Sequence, residues 1–93
     1  MFKCSIELYG IPRQVTTERK VEVELDDEAS LAELIAALRH KIPALGGVVF
    51  SPDEDRLTEF YAFNINGRFY IDDKEVRVRK GDRVALFALA AGG

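Results

Sequence analysis

Only one stretch of this sequence has the periodicity of a helix, and it lies among segments that alternate like strands. In residues 31–41 the apolar side chains fall on one helical stripe. Ser30 precedes the stripe as an N-cap, Glu33 completes a capping box three residues later, and Pro43 ends the helix. A single amphipathic helix must bury its apolar stripe against another layer, so the sequence predicts an α+β domain.

Alternating segments on both sides of the helix predict the strands of that layer. Residues 2–8 and 20–25 place apolar and mostly polar residues on opposite faces, which predicts an antiparallel hairpin. Residues 60–71 are rich in aromatic side chains and are interrupted by an Asn-Gly pair, which is preferred in a tight type I′ turn. Residues 83–89 follow a Gly-Asp turn and predict the last strand.

The predicted element order is strand, strand, helix, strand, strand, strand. A mixed sheet packed on one main helix accommodates this order when the first and last strands are central, parallel neighbours, an arrangement known as the β-grasp. We expect residues 1–89 to form the β-grasp domain and residues 90–93 to form a flexible Gly-Gly tail. Five aromatic residues are expected to pack in the core and sheet: Phe60, Tyr61, Phe63, Phe69 and Tyr70.

Charge and composition argue against several classes of function. The 93 residues carry a formal net charge of −3, whereas a nucleic-acid-binding domain presents a basic face. Cys4 is the single cysteine, so neither an intramolecular disulfide nor a Cys-rich metal site can form, and we expect it to be buried. No segment resembles a signal peptide or a membrane span, and the expected location is the cytoplasm.

The sequence shows no recognisable catalytic or cofactor-binding pattern. A lone Cys4 and a lone His40 do not provide a nucleophile–base pair or a metal site, and no phosphate-binding Gly-rich loop is present. The acidic clusters lie in predicted loops without the spacing of a calcium-binding loop. We therefore expect a protein that is not itself an enzyme and that binds no metal or cofactor of its own.

The sequence ends in four residues with small side chains or none: Ala90, Ala91, Gly92 and Gly93. Such a tail reaches about 13 Å when extended and can thread a narrow channel. A terminal glycine also leaves the carboxylate carbon open to attack from most directions. Because an α-carboxylate has a pKa of about 3.5, it is ionised and unreactive at neutral pH and needs activation by another enzyme.

Together these features resemble the MoaD/ThiS family of sulfur carriers, which are related in fold to ubiquitin. The resemblance rests on the β-grasp order, on "LYG" ending the first strand, on "NINGRF" and "KGDRVALF", and on the final Gly-Gly. It implies that an E1-like adenylyltransferase adenylates the Gly93 carboxylate with ATP. A sulfur donor then converts it to a thiocarboxylate, which supplies sulfur to an acceptor enzyme such as the molybdopterin synthase large subunit.

Two other functions stay open at the level of sequence. A ubiquitin-like modifier would use the same activation but join Gly93 to a lysine of another protein. A plain β-grasp interaction module would use its surface alone. The carbonyl carbon of Gly93 is the same in carrier and modifier, so the incoming nucleophile, which belongs to the partner, decides between them.

The last strand also predicts a docking surface. Alternation places Val84, Leu86 and Ala88 on one face and Ala85, Phe87 and Leu89 on the other. The helix can cover only one face of the sheet. The family resemblance implies that Val84 points into the core, so Phe87 is expected on the open face, among carboxylates. We predict a partner-docking site beside the tail, formed by Phe87, Leu89, Ala85 and Phe60. The alternative is that segment 44–59 folds over Phe87 and buries it.

Overall fold

The computed structural model describes residues 1–89, which form a mixed sheet against one α-helix. The larger elements are β1 (Phe2–Tyr9), β2 (Lys20–Leu25), α1 (Leu31–Lys41), β4 (Tyr61–Ile65), β5 (Arg68–Tyr70) and β7 (Val84–Ala88). Two short strands, β3 (Ala29–Ser30) and β6 (Arg77–Val78), and a 3-10 helix (Pro43–Leu45) complete the order.

The central sheet has the order β2-β1-β7-β4-β5. Strands β1 and β7 are parallel neighbours at its centre, while the β1–β2, β4–β7 and β4–β5 pairs are antiparallel. With α1 on one face, this is the predicted β-grasp, and the fold prediction is confirmed. The topology brings both ends of the described chain into the middle of the sheet, because β1 begins it and β7 ends it.

Strands β1 and β2 form as the alternation predicts. Their apolar residues are buried at every second position, from Phe2 to Leu8 and from Val21 to Leu25, while most of the intervening polar residues are exposed. Cys4 is buried among them. A period of two matches the pleat of a strand, so a hairpin with one apolar face can cover the helix.

The helix begins at the predicted capping box. The backbone N–H of Glu33 donates to Ser30 Oγ at 3.1 Å, and the Ser30 N–H donates to Glu33 Oε1 at 3.2 Å. These two bonds satisfy amide groups that have no partner within the helix. The buried stripe is Leu31, Leu34, Ile35 and Leu38. Within residues 1–89, no helix has the length and apolar character that crossing a bilayer requires.

The turn between β4 and β5 is the predicted two-residue hairpin. Asn66 has φ of 53° and Gly67 has φ of 93°, as a type I′ turn requires of both central residues. The side chain of Asn64 accepts a hydrogen bond from the Gly67 N–H at 3.0 Å. This turn fixes the register of β4 and β5 and thereby the position of Phe69 opposite Asn64.

Two expectations need correction. The strand pattern did not predict β3 and β6, which pair with each other over only two residues each; such short segments carry no visible periodicity. Core and sheet packing is the prediction for the five aromatic residues, and it is correct for only some of them. Tyr61 and Phe63 are buried, whereas Phe60 and Phe69 are 50% and 57% exposed. They lie on the face of the sheet that α1 does not cover.

Segment 44–59 is irregular, as predicted, but it completes the core on the helix face. Its apolar side chains belong to the same buried cluster as the helix stripe: Leu45, Val49, Phe50 and Leu57. Arg39 at the end of α1 holds the acidic part of the segment, with Nη1 donating to Asp55 at 2.7 Å and Nη2 donating to the Ser51 and Glu54 carbonyls. A helix residue thus anchors the longest irregular segment in the described chain.

Candidate functional site

Strand β7 ends at Ala88, and the residues at this end have a fixed neighbour on each side. On one side, the Leu89 N–H donates to the Phe60 carbonyl oxygen at 2.7 Å. On the other side, Gly10 directly follows β1 and lies against Ala88. The predicted tail residues Ala90, Ala91, Gly92 and Gly93 lie outside the described residues. The two residues that precede the predicted tail, Ala88 and Leu89, therefore have positions that the sheet determines.

Phe87 lies on the open face, immediately before that segment. Its ring stacks on Tyr9, with centroids 4.6 Å apart and 15° between the ring planes. Phe69 meets it edge to face at 5.4 Å and 70°. Phe87 is half-buried by these neighbours and lies outside the core cluster that segment 44–59 joins. Phe69 comes from β5, so the ring of Phe87 is held by both halves of the sheet.

The residues around Phe87 form an apolar surface that we call the open-face patch. Phe60, Leu89 and Tyr9 are 50%, 38% and 43% exposed, and Ala85 is half-buried. The patch comprises Tyr9, Phe60, Phe69, Ala85, Phe87 and Leu89. Exposed apolar residues that cluster in this way are typical of surfaces that bind another protein. The docking role of Phe87, Leu89, Ala85 and Phe60 stays a prediction.

The charges around the patch are of both signs, rather than carboxylates alone. Glu7 and Arg83 line a shallow concavity together with Tyr9, Ala85 and Phe87. The Tyr9 hydroxyl donates to Glu7 Oε2 at 2.5 Å, and this hydrogen bond raises the pKa of Tyr9 above its usual value. Tyr9 thus offers its ring to Phe87 and keeps its hydroxyl on a neighbouring carboxylate.

The described residues do not assemble a reactive centre. Burial, with a smaller contribution from the charge of Asp82, raises the pKa of the Cys4 thiol to about 11, so this thiol stays protonated near neutral pH. His40 is exposed at the end of α1. Across residues 1–89, no group of three His, Cys, Asp or Glu side chains is placed to hold a metal ion. The arrangement presents an exposed apolar surface that includes Leu89, the last described residue.

Some of these residues were missed at the level of sequence. Tyr9 falls on the open face because it continues the alternation of Lys3, Ser5 and Glu7, so the strand pattern itself carries the signal. For Phe69 the sequence predicts packing in the core and sheet, because a strand of three residues is too short to show on which face its aromatic side chain lies. The contact of Gly10 depends on how β1 and β7 pair, so the sequence alone does not reveal it.

The chain matches one family model and is similar to several solved structures. The family model described as "ThiS family" matches residues 6–93. The structure of SAMP1 from Haloferax volcanii is similar, with a TM-score of 0.81 and 27% identity over 99% of this chain and 100% of that one. Another structure of H. volcanii small archaeal modifier protein 1 has a TM-score of 0.76 and 26% identity, covering 94% and 97%.

A third solved structure extends the likeness in fold. A putative molybdopterin converting factor, subunit 1, from Pyrococcus furiosus has a TM-score of 0.71 and 20% identity, covering 96% of this chain and 99% of that one. No curated protein matches the sequence. The fold is therefore that of ubiquitin-like β-grasp proteins over nearly its whole length.

Proposed function

The chain belongs to the ThiS family, and from that premise we propose that it is a sulfur carrier that reacts through the carboxylate of Gly93. An E1-like enzyme adenylates this carboxylate with ATP, releasing pyrophosphate. A sulfur donor then displaces AMP, which leaves a thiocarboxylate. The carrier is a protein co-substrate rather than a catalyst, and ATP is bound by its activating partner.

The observation that carries the proposal is the family match itself, which extends through Gly92 and Gly93. The geometry adds physical support, because the segment before the tail is fixed at Leu89 and adjoins an exposed apolar surface. A partner bound to the open-face patch would find residues 90–93 within about 13 Å of Leu89. In this proposal Phe87 is the docking anchor, with Leu89, Ala85 and Phe60 around it.

Thiocarboxylate formation is tested by intact-mass spectrometry combined with thiol alkylation. The chain is incubated with ATP, an E1-like enzyme and a sulfur donor, and is then treated with an alkylating reagent. The Cys4→Ala variant gives the clearer result, because Cys4 is the single cysteine and its removal leaves no thiol side chain to alkylate. We expect exchange of one oxygen for sulfur and alkylation at Gly93 in this variant. An activated chain that never gains sulfur would contradict the carrier function.

A second candidate is a ubiquitin-like modifier. The specific observation in its favour is that two similar structures, at 27% and 26% identity, are of a small archaeal modifier protein. In that function the ε-amino group of a lysine displaces AMP and forms an isopeptide bond with Gly93. Peptide mass spectrometry of cell extracts distinguishes the two, because conjugates would carry the Gly93 end of this chain on lysines of other proteins.

For the acceptor of sulfur we propose the large subunit of a molybdopterin synthase. The support is the resemblance of the "LYG" strand end to the MoaD side of the family. Purified chain in thiocarboxylate form, mixed with such a subunit and its pterin precursor, should lose its sulfur to the product. If the chain keeps its sulfur in this mixture but transfers it to a thiazole-forming enzyme in a parallel one, the proposed acceptor is wrong.

A further inference from the structure

Gly10 lies where a side chain of its own would collide with the end of β7. A Cβ built on Gly10 would lie 2.9 Å from the Cβ of Ala88, and the next-nearest atoms are also of Ala88, at 3.8 Å. Carbon atoms in good contact are about 3.5–4.0 Å apart. The missing side chain of Gly10 therefore leaves room that Ala88 occupies.

This contact occurs where β1 and β7 stop running together. Their parallel pairing ends at Tyr9 opposite Phe87, and Gly10 then turns the chain away with φ of 75°. Ala88 remains paired with β4, where it lies opposite Tyr61. The Leu89 N–H bonds to the Phe60 carbonyl on that same side. Ala88 and Leu89 are thus held between Gly10 on one flank and the start of β4 on the other.

A side chain at Gly10 would have to displace one of these flanks. The obstructing atom is a β-carbon close to the backbone, so it cannot rotate aside as the end of a long side chain can. Relief of the contact requires a shift of roughly 0.5–1 Å. Because β4 holds Ala88 from the far side, the end of β7 would be pushed against the Phe60–Leu89 hydrogen bond, and Leu89 directly precedes Ala90.

We propose that Gly10 is a positioning residue for activation of the carboxyl end: its lack of a side chain lets Ala88 seat against β1 and so sets where the tail departs. This inference rests on the proposed function. In this proposal Gly10 acts through Ala88 rather than on the reacting carboxylate. Displacement of a reacting group by about 1 Å can lower a rate about 100-fold.

The kinetic signature of positioning differs from that of docking. In this proposal the open-face patch determines how tightly the partner binds, and Gly10 is not part of that patch. The position of the tail determines how often the bound carboxylate reaches ATP. We therefore expect Gly10→Ala to lower kcat for ATP–pyrophosphate exchange roughly 10- to 100-fold while KM changes by about twofold at most. The amide signal of Leu89 in an NMR spectrum should shift as well.

Two further variants separate the steric contact from backbone strain. Gly81→Ala is the matched control, because Gly81 has φ of 94° but no atom within 4 Å of its added Cβ, and it precedes the opposite end of β7. It should activate at the wild-type rate. The double variant Gly10→Ala/Ala88→Gly keeps the positive φ but removes the colliding atom, and it should recover most of the lost kcat.

The outcomes distinguish this inference from the function on which it rests. If an E1-like enzyme does not activate the wild-type chain, the proposed function fails and the inference with it. If the wild type is activated and folded Gly10→Ala has an unchanged kcat, only the inference fails. A double variant that stays as slow as Gly10→Ala would also overturn it. Should Gly10→Ala not fold, Ala88→Val enlarges the contact from the other side, and a normal kcat there would contradict the proposal.

Discussion

The ring of Phe87 stacks on the ring of Tyr9 at 4.6 Å, which joins the last strand of the sheet to the first on the face that the helix leaves open. Phe87 is therefore neither a core residue nor a fully exposed one. Its neighbours keep the ring in one orientation, while the exposed residues around it leave the surface accessible to a partner. Preorganised aromatic anchors are typical of residues that dominate protein–protein interfaces.

We predict that Phe87→Ala weakens binding to an E1-like partner and destabilises the fold less than truncation of a core phenylalanine does. Loss of a central anchor makes the free energy of binding less favourable by about 1–3 kcal/mol. Loss of two aromatic contacts on a half-buried ring lowers the free energy of unfolding by about 1–2 kcal/mol. Titration calorimetry and denaturant unfolding measure the two effects separately.

Phe63→Ala is the matched control for Phe87→Ala. Phe63 is fully buried on β4, so its truncation should lower the unfolding free energy by about 3–5 kcal/mol. Affinity in the folded fraction should be retained. If Phe87→Ala is as destabilising as Phe63→Ala and binds the partner normally, Phe87 has a structural role and the docking prediction is wrong.

The buried thiol of Cys4 makes stability depend on alkaline pH. Its pKa is raised from 9.0 to about 11 in the folded chain. Between these values the unfolded chain releases a proton that the folded chain retains, so the free energy of unfolding falls as pH rises. The loss approaches about 2–3 kcal/mol by pH 11 and is absent below about pH 8.5.

Cys4→Val isolates this effect, because valine packs in a similar volume and does not ionise. Other groups titrate in the same range but contribute equally to both proteins. The difference in unfolding free energy between wild type and Cys4→Val should therefore change steadily from pH 8.5 to pH 11. A constant difference across that range would show that the thiol ionises as readily in the folded chain as in the unfolded one.

Arg39 should stabilise segment 51–56 without affecting activation. Its guanidinium bonds Asp55 and two backbone carbonyls, and Arg39→Lys cannot reproduce this fork. We expect faster amide exchange at Ser51 and Arg56 and a loss of about 1–2 kcal/mol of stability. Arg79→Lys is the control: the Arg79–Glu28 pair is exposed and should contribute under about 1 kcal/mol. Equal losses in both variants would contradict the assignment.

Local chemistry accounts for the parts of this fold that were predicted. Alternation defines β1 and β2, the Ser30–Glu33 box defines the start of α1, and the Asn66–Gly67 pair defines one hairpin. Each of these signals depends on residues that are close in sequence. The parallel pairing of the first and last strands was predicted from the element order, because that order matches the β-grasp arrangement.

The remaining features depend on contacts between distant segments. Whether Phe60 and Phe69 are exposed is decided by the side of the sheet on which α1 and segment 44–59 lie. Strands β3 and β6 exist only because they meet each other. The stacking of Tyr9 on Phe87 and the contact of Gly10 with Ala88 require the β1–β7 register, which no local pattern specifies.

The central claim is that the carboxylate of Gly93 is the group that reacts, and ATP–pyrophosphate exchange with an E1-like enzyme tests it most directly. The wild type, a chain lacking Gly93, and Gly92→Phe are compared after their melting temperatures are measured. We predict similar melting for all three, because residues beyond the last strand contribute little to stability. Exchange should proceed with the wild type alone. A chain without Gly93 that supports exchange at the wild-type rate would contradict the account.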